Sequence, residues 1–129
     1  MIIPPPLSNR ASYALNTLRA CVAAGVEFVV LLSVPMSRDT VFGRQFAPID
    51  DFVKTYKDFS GWCVLRLPLL LEHHMRHVHS ALYNRKISVP CKADAVFTPL
   101  AARDLARAYL SLISRPPAHA GKTYTLRSM

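Results

Sequence analysis

The chain has 129 residues, of which 51% are hydrophobic and 19% are charged. This apolar content excludes a disordered chain and predicts a single domain over residues 1–129. No apolar run approaches the ~20 residues of a membrane-spanning helix, and no signal sequence is recognised, so we expect no membrane partner. Cys21, Cys63 and Cys91 are scattered through apolar stretches, which is typical of reduced thiols. The composition therefore predicts a cytoplasmic location, with the nucleus as the alternative.

The net charge of +8 comes from 16 Lys and Arg against 8 Asp and Glu. Such an excess attracts polyanions weakly. The basic residues are nevertheless spread along the chain, and the densest pair, Arg103 and Arg107, is only one helical turn apart. Nucleic-acid-binding surfaces usually show a basic stripe or a motif. We therefore expect a solvated basic surface and no nucleic-acid partner.

The first elements alternate between strand and helix. Met1 to Ile3 has the pattern of a strand end, which Pro4, Pro5 and Pro6 stop because proline cannot continue a strand ladder. Ser8 or Asn9 can then cap a helix. Gly25 stands where a left-handed residue is expected after the last turn of that helix.

Two strands with a helix between them follow. Residues 28–34 are continuously apolar, as in a parallel strand covered on both faces, and Ser33 stands near the carboxyl end of this strand. Apolar spacing predicts a helix over residues 45–56, in which Pro48 is tolerated only in the first turn. Residues 62–67 give the next strand.

The second half of the chain continues the alternation and predicts an α/β fold. Short strands are expected over residues 86–89 and 95–98, a helix is expected to open after Thr98 and Pro99, and a last strand covers residues 122–126. The apolar helix faces expected to pack inward are Leu71, Met75, Val78 and Leu82 on one helix, and Leu105, Ala106, Tyr109 and Ile113 on the other.

A run of histidines is the most conspicuous polar feature. His73 and His77 are one helical turn apart, the spacing of two zinc ligands, but no H-E-x-x-H glutamate and no third ligand accompany them. We therefore predict no metal site, and His73 is a candidate for a substrate pocket because it closely follows a strand end. Ser33 has no G-x-S-x-G surroundings, so a Ser-His-Asp hydrolase is not predicted.

Several stretches carry a family resemblance through their order and spacing. They are Ile2-Ile3-Pro4-Pro5, residues 24–33, Phe42-Gly43-Arg44-Gln45-Phe46 leading into Ile49-Asp50, Val64-Leu65-Arg66-Leu67-Pro68, Phe97-Thr98-Pro99 with Asp104-Leu105-Ala106, and residues 121–126. Together they resemble the C-terminal part of the NmrA-like family, atypical short-chain dehydrogenases/reductases of the NAD(P)-binding Rossmann superfamily. The resemblance implies a partial Rossmann-like, doubly wound parallel sheet with flanking helices that lacks the first βαβ units.

The resemblance also implies where an NAD or NADP molecule would bind. The cofactor-binding candidates are Pro4, Pro5, Ser33, Val34, Gln45, Pro68 and Leu69, and the substrate-pocket candidates are Phe42, Phe46 and His73. Catalytic members of the superfamily carry a Tyr-x-x-x-Lys pair for proton transfer. The corresponding region here, residues 41–46, has neither tyrosine nor lysine, so no catalytic residue is assigned.

The glycine content sets the functional expectation. The chain has four glycines and no G-x-G-x-x-G, so the main pyrophosphate cradle is missing and dinucleotide binding by this chain is expected to be weak or absent. The first hypothesis is a redox-sensing or regulatory NAD(P)-binding protein with weak or no catalysis. The alternatives are an NAD(P)H-dependent quinone or carbonyl reductase within a longer chain, and a basic protein-interaction module. An exposed edge at the first strand predicts self-association or a protein partner.

Overall fold

A parallel β-sheet forms the centre of the computed structural model, which describes residues 1–56, 59, 61–88, 94–96 and 98–127. Its strands are β1 (Phe28–Ser33), β2 (Gly61–Arg66) and β3 (Lys122–Thr125), in that spatial order. Ile2 extends the sheet beyond β1. Its N–H donates to the Val30 carbonyl at 2.8 Å and its carbonyl accepts from Leu32 at 3.0 Å, in a parallel bridge. The α/β prediction is confirmed.

Helices cover both faces of the sheet. In chain order they are α1 (Arg10–Ala23), α2 (Val41–Thr55), a 3₁₀ helix (Leu71–His77), α3 (Val78–Asn84), α4 (Ala102–Ser114) and α5 (Pro116–His119). Alternate residues of β1 enter two separate cores: Leu31 packs with α1 and α2, and Leu32 packs with Leu112 of α4. This is the doubly wound arrangement, and it explains why the strand sequence is apolar on both faces. Within the described ranges, no helix is long and apolar enough to cross a membrane.

Helix α2 begins four residues before its predicted start. The Thr40 side chain accepts a hydrogen bond from the Gly43 N–H at 3.0 Å and caps the first turn. Pro48 therefore lies in the helix interior, and the expectation of a first-turn position was wrong. An interior proline costs about 3 kcal/mol. Burial of Ile49 and Val53 offsets that loss, because a fully buried aliphatic side chain contributes about 1.5–3 kcal/mol.

The ends of α1 confirm one expectation and correct another. Gly25 adopts φ +69°, the left-handed conformation expected after the helix. Asn9 occupies the N-cap position, but its side chain makes no capping hydrogen bond. Ser8 lies one residue further outside.

The apolar face predicted over residues 71–82 is not buried. The segment is a 3₁₀ helix followed by the short α3, and neither contains a buried residue; Met75 is 69% exposed and Leu82 is 72% exposed. A 3₁₀ helix turns about 120° per residue, which moves Leu71 away from the side occupied by Met75. Binary patterning finds apolar residues at helical spacing but cannot tell whether another element packs on them.

The short strands expected on either side of residue 90 do not form where the chain is described. Lys86, Ile87 and Ser88 are irregular, and so are Ala95, Val96 and Thr98. Val89 and Phe97 lie outside the described residues, as does Cys91. The only sheet-like pairing in this region is a parallel bridge between Leu70 and Leu100 among the described residues.

Helix α4 takes its cap from a distant residue. The N-cap residue, Ala101, has no capping side chain, and both carboxylate oxygens of Glu72 accept from the Ala102 N–H, at 2.9 and 3.0 Å. The helix thus starts after the Thr98-Pro99 signal by several residues. Leu112 supplies its buried contact, whereas Ile113, which was expected to face inward, is exposed. Leu105 and Tyr109 pack against the same core as predicted, whereas Ala106, like Ile113, is exposed.

Candidate functional site

The carboxyl ends of neighbouring parallel strands lie side by side at one edge of the sheet. Ser33 ends β1 and is the register partner of Arg66, which ends β2. The Leu67 N–H donates to the Ser33 carbonyl at 3.0 Å and continues the pairing past the strand ends. In open α/β sheets, ligands bind in the crevice beyond these ends. We therefore take this edge as the candidate site.

A small polar cavity lies at this edge beneath α2, and we call it the edge cavity. Residues two positions apart in a strand lie on the same face of the sheet. Ser33 therefore shares the face of Leu31, and Arg66 shares the face of Val64, which is the face that packs against α2. Arg66 Nη2 lies 3.3 Å from Asp50 Oδ2 of α2. The cavity has a volume of about 30 Å³. It is lined by Ser33, Val34, Met36, Arg38, Gly43, Phe46, Ala47, Asp50 and Arg66.

The polar groups of the edge cavity have unused hydrogen-bonding capacity. Ser33 is only 3% exposed and Asp50 only 5%. Within the described ranges, Ser33 Oγ, Asp50 Oδ1 and Arg66 Nε are buried and make no hydrogen bond. Buried polar atoms in folded proteins are nearly always paired. A hydroxyl, a carboxylate oxygen and a guanidinium nitrogen without partners therefore belong to residues that line the edge cavity.

The loop over residues 35–40, here called the strap, closes one side of the cavity. Arg38 Nη1 donates to Asp51 Oδ2 of α2 at 2.9 Å, and a second bond joins the same two groups. This hydrogen bonding lowers the pKa of Asp51 below its ordinary value of 3.8 and raises the pKa of Arg38. Thr40 Oγ1 also donates to the Ser37 carbonyl at 2.8 Å. The strap is thus tied to α2 and to itself.

The structure brings together some of the predicted site residues. Ser33, Val34 and Phe46 all line the edge cavity. Pro4 and Pro5 follow Ile2, and Pro68 and Leu69 follow β2, so all four stand just beyond carboxyl ends of strands that meet at this edge. Pro4 is buried, Pro5 and Pro68 are half-buried, and Leu69 is 43% exposed.

The remaining predicted residues are placed differently. Phe42 is exposed on α2, and the Arg10 guanidinium lies 5.0 Å from the centre of its ring and 5.2 Å from that of Phe46. Gln45 is half-buried, and its Oε1 is shielded without a hydrogen-bond partner. His73 is exposed on the 3₁₀ helix and does not line the edge cavity. Phe46 packs in the core while Phe42 faces outward.

Sequence reasoning missed Asp50 and Arg66, although each carries a detectable signal. Asp50 is the one charged position among the buried residues of α2, which otherwise are Gly43, Phe46, Ile49 and Val53. Arg66 is the one charged residue of β2. Two opposite charges inside apolar elements that are neighbours along the chain indicate a partly buried ion pair, since an unpaired charge is costly there.

A second, mostly apolar groove lies on the opposite face, between α4 and the β2–β3 part of the sheet. Its volume is about 240 Å³. It is lined by Leu65, Ala108, Ser111, Leu112, His119, Tyr124, Thr125 and Leu126. His119 Nδ1 and the Tyr124 hydroxyl are hydrogen-bonded at 2.9 Å at this groove. Among the described residues, no three His, Cys, Asp or Glu side chains are placed to hold a metal ion.

The chain resembles a known protein in its structure and not detectably in its sequence. No protein-family model matches the chain, and no curated protein matches it significantly. A crystal structure of a nucleoside-diphosphate-sugar epimerase from Staphylococcus aureus superposes on 99% of this chain with a TM-score of 0.79. The chain has a partial Rossmann-like fold. Sequence identity to that protein is 17%, so the likeness shows the fold alone, and this chain spans 47% of that protein's length.

Proposed function

We propose that this chain is an NmrA-like, NAD(P)-binding protein that acts as a redox sensor or regulator with weak or no catalysis of its own. The observation that carries the proposal is the alignment of Ile2, β1 and β2 in one parallel sheet with their carboxyl ends at the same edge. Ligands of doubly wound folds bind at such an edge. The same edge carries the polar groups of Ser33 and Arg66.

The residues at this edge fit the nicotinamide half of the cofactor better than the phosphate half. Val34, Pro68 and Leu69 provide apolar surface for the face of a ring. The Oε1 atom of Gln45 is shielded in this conformation, and a turn of its side chain would make it an acceptor for a carboxamide or ribose donor. The edge cavity, at about 30 Å³, is too small for the ring, which would lie above it. The sequence has no G-x-G-x-x-G to hold a pyrophosphate, so the affinity should be low.

The side chains of α2 argue against efficient reduction by this chain. Phe42 and Phe46 stand four residues apart where reductases of the superfamily carry tyrosine and lysine, and neither can give a proton. Within a longer polypeptide that supplies a glycine-rich turn, the same edge would serve an NAD(P)H-dependent quinone or carbonyl reductase. A proton would then have to come from water or from another donor.

Titration with NADPH, NADP⁺ and NADH tests the proposal. Calorimetry and thermal melting of the purified chain should show weak binding and a raised midpoint, because a ligand of the folded state stabilises it. Leu69→Glu should abolish this rise, whereas Leu110→Glu, an exposed position on α4, should leave it intact. A redox sensor requires different affinities for NADPH and NADP⁺. The absence of any midpoint shift at saturating dinucleotide would refute cofactor binding.

A second candidate function, a basic protein-interaction module, is favoured by the exposed segment over residues 71–86. Met75, Val78 and Leu82 present apolar side chains there to solvent. The same segment carries the exposed basic residues Arg76, Arg85 and Lys86, which favour an acidic partner. Capture of a partner that is sensitive to salt, needs no nucleotide and is lost with Met75→Glu plus Leu82→Glu would support this function, with Leu110→Glu as the matched control.

The sheet edge at Ile2 is a separate route to association. Ile2 pairs with β1 on one side, and within the described residues no strand pairs with its other side. Exposed strand edges invite pairing with another chain. Sedimentation velocity over a range of concentrations tests self-association, and Ile3→Lys should reduce it because a charged side chain disfavours edge pairing. A monomer at every concentration would refute this route.

A further inference from the structure

The Arg10 side chain is held in place by three contacts. Its Nε donates to the Leu7 carbonyl at 2.9 Å. Its guanidinium carbon lies 5.0 Å from the centre of the Phe42 ring and 5.2 Å from that of Phe46, within the ~6 Å range of a cation–π interaction. The two terminal nitrogens, Nη1 and Nη2, make no hydrogen bond within the described ranges. Neither is among the shielded atoms without a partner there, so a ligand can reach both.

The charge of Arg10 has no counter-charge in the described part of the chain. The ion pairs found there join Arg38 to Asp51, Arg66 to Asp50 and Arg107 to Asp104. The first turn of α1, which Arg10 opens, contains no acidic residue. Water can hydrogen-bond to the two nitrogens, but it carries no net charge and cannot neutralise the guanidinium. A positive charge that is fixed in position and unpaired attracts an anion.

Arg10 lies close to the carboxyl edge of the sheet. Phe46, one of the two rings next to its guanidinium, lines the edge cavity. An anion bound by Arg10 is therefore near the place where ligands of doubly wound sheets bind. Phe42, the other ring, is 46% exposed. This part of the surface thus combines one unpaired cation with an apolar aromatic face.

The number and shape of the available donors select the anion. Arg38 is already ion-paired, and Nη1 of Arg44 donates to the Asp39 carbonyl at 2.7 Å. A single guanidinium charge matches a monoanion, and its planar fork matches the two oxygens of a carboxylate. We propose that Arg10 binds the carboxylate of an aromatic acid whose ring packs against Phe42 at the carboxyl edge of the sheet. Arg10 thereby selects acidic ligands over neutral ligands of the same shape, with or without a dinucleotide.

Titration with benzoate and with benzamide, its neutral analogue of similar shape, tests the proposal. In ¹H–¹⁵N NMR at constant ionic strength, benzoate should bind the wild-type chain about tenfold more tightly, because only benzoate makes a hydrogen bond between two charged groups. Arg10→Gln should abolish this preference. Arg19→Gln is the matched control and should leave it intact, since Arg19 lies on the same helix, 6.0 Å from the Phe52 ring centre. Equal affinities of the wild type for both compounds, or equal effects of both substitutions, would overturn the proposal.

The location of the NMR shifts covers the case in which Arg10→Gln disturbs the fold. In the wild type, benzoate should shift the Arg10 Nε–Hε signal and the Phe42 amide more than the Arg19 Nε–Hε signal. Shifts spread equally over exposed arginines such as Arg107 would indicate general attraction by the net charge of +8 and would overturn the proposal. Inorganic phosphate that binds as tightly as benzoate would overturn the choice of a carboxylate. Neither measurement involves a dinucleotide, so failure here is distinguishable from failure of the proposed function.

Discussion

Replacing Gly43 with alanine should destabilise the protein, although glycine-to-alanine changes in helices usually stabilise by about 0.5–1 kcal/mol. A β-carbon at Gly43 would lie 1.8 Å from the Ser37 carbonyl oxygen and 2.6 Å from its carbon. Contacts of a β-carbon below 3.0 Å essentially do not occur, so the strap would have to move by about 1.2 Å. The clashing atoms belong to the backbone, which cannot turn aside as a side chain can.

The size of the effect follows from what that movement disturbs. Overpacking costs about 1–3 kcal/mol, and losing the 2.8 Å hydrogen bond from Thr40 to Ser37 adds about 1 kcal/mol. After the usual gain from alanine is subtracted, we expect a net loss of about 1–3 kcal/mol. Urea denaturation followed by circular dichroism measures this loss. Ala106→Gly, at an exposed position in α4, gives the ordinary difference between the two residues in a helix. If Gly43→Ala is as stable as the wild type, the close approach of the Ser37 carbonyl group to residue 43 does not constrain this position.

Three further predictions concern single side chains. Glu72→Ala should cost about 0.5–2 kcal/mol in urea denaturation because α4 loses its cap, whereas Glu27→Ala should change stability little; equal effects would contradict the capping role. Asp51→Asn should lower the melting midpoint at neutral pH, but the difference should vanish as the pH falls through the lowered pKa of Asp51, below 3.8, where its carboxylate is protonated; a difference that persists in acid would show that charge is not responsible. Burial raises the pKa of the Cys63 thiol, so Cys63 should react with a thiol reagent only on unfolding, and more slowly than the half-buried Cys21; equal rates in the native state would contradict this.

The elements that could be predicted from the sequence are those whose local pattern and tertiary environment agree. The apolar runs around Leu31 and Val64 match β1 and β2 to within a residue, because a parallel strand buried on both faces has few other interpretations. Gly25 was predictable for the same reason, because a glycine just after a helical pattern matches the left-handed conformation that the chain adopts there. The same apolar run placed Ser33 near the carboxyl end of its strand, where β1 ends.

The parts that could not be predicted depend on contacts between residues far apart in the sequence. Asp50 and Arg66 are 16 positions apart, and Glu72 and Ala102 are 30 apart, so no local window contains either pair. The predicted burial of the face around Met75 was wrong for a related reason. Apolar spacing predicts that a face could be buried, but burial requires a second element, and none covers this face among the described residues.

The hydrogen bonds from the Ala102 N–H to Glu72 join the start of α4 to the exposed 3₁₀ helix. The carboxylate sits in the first turn of the 3₁₀ helix, whereas α4 supports the core around Leu65 and Leu112. A binding partner that pulls the 3₁₀ helix away would leave the Ala102 N–H unpaired and loosen the start of α4. Thermodynamic reciprocity then requires that whatever frays α4 also eases the capture of that partner, so the two events are coupled through a single carboxylate.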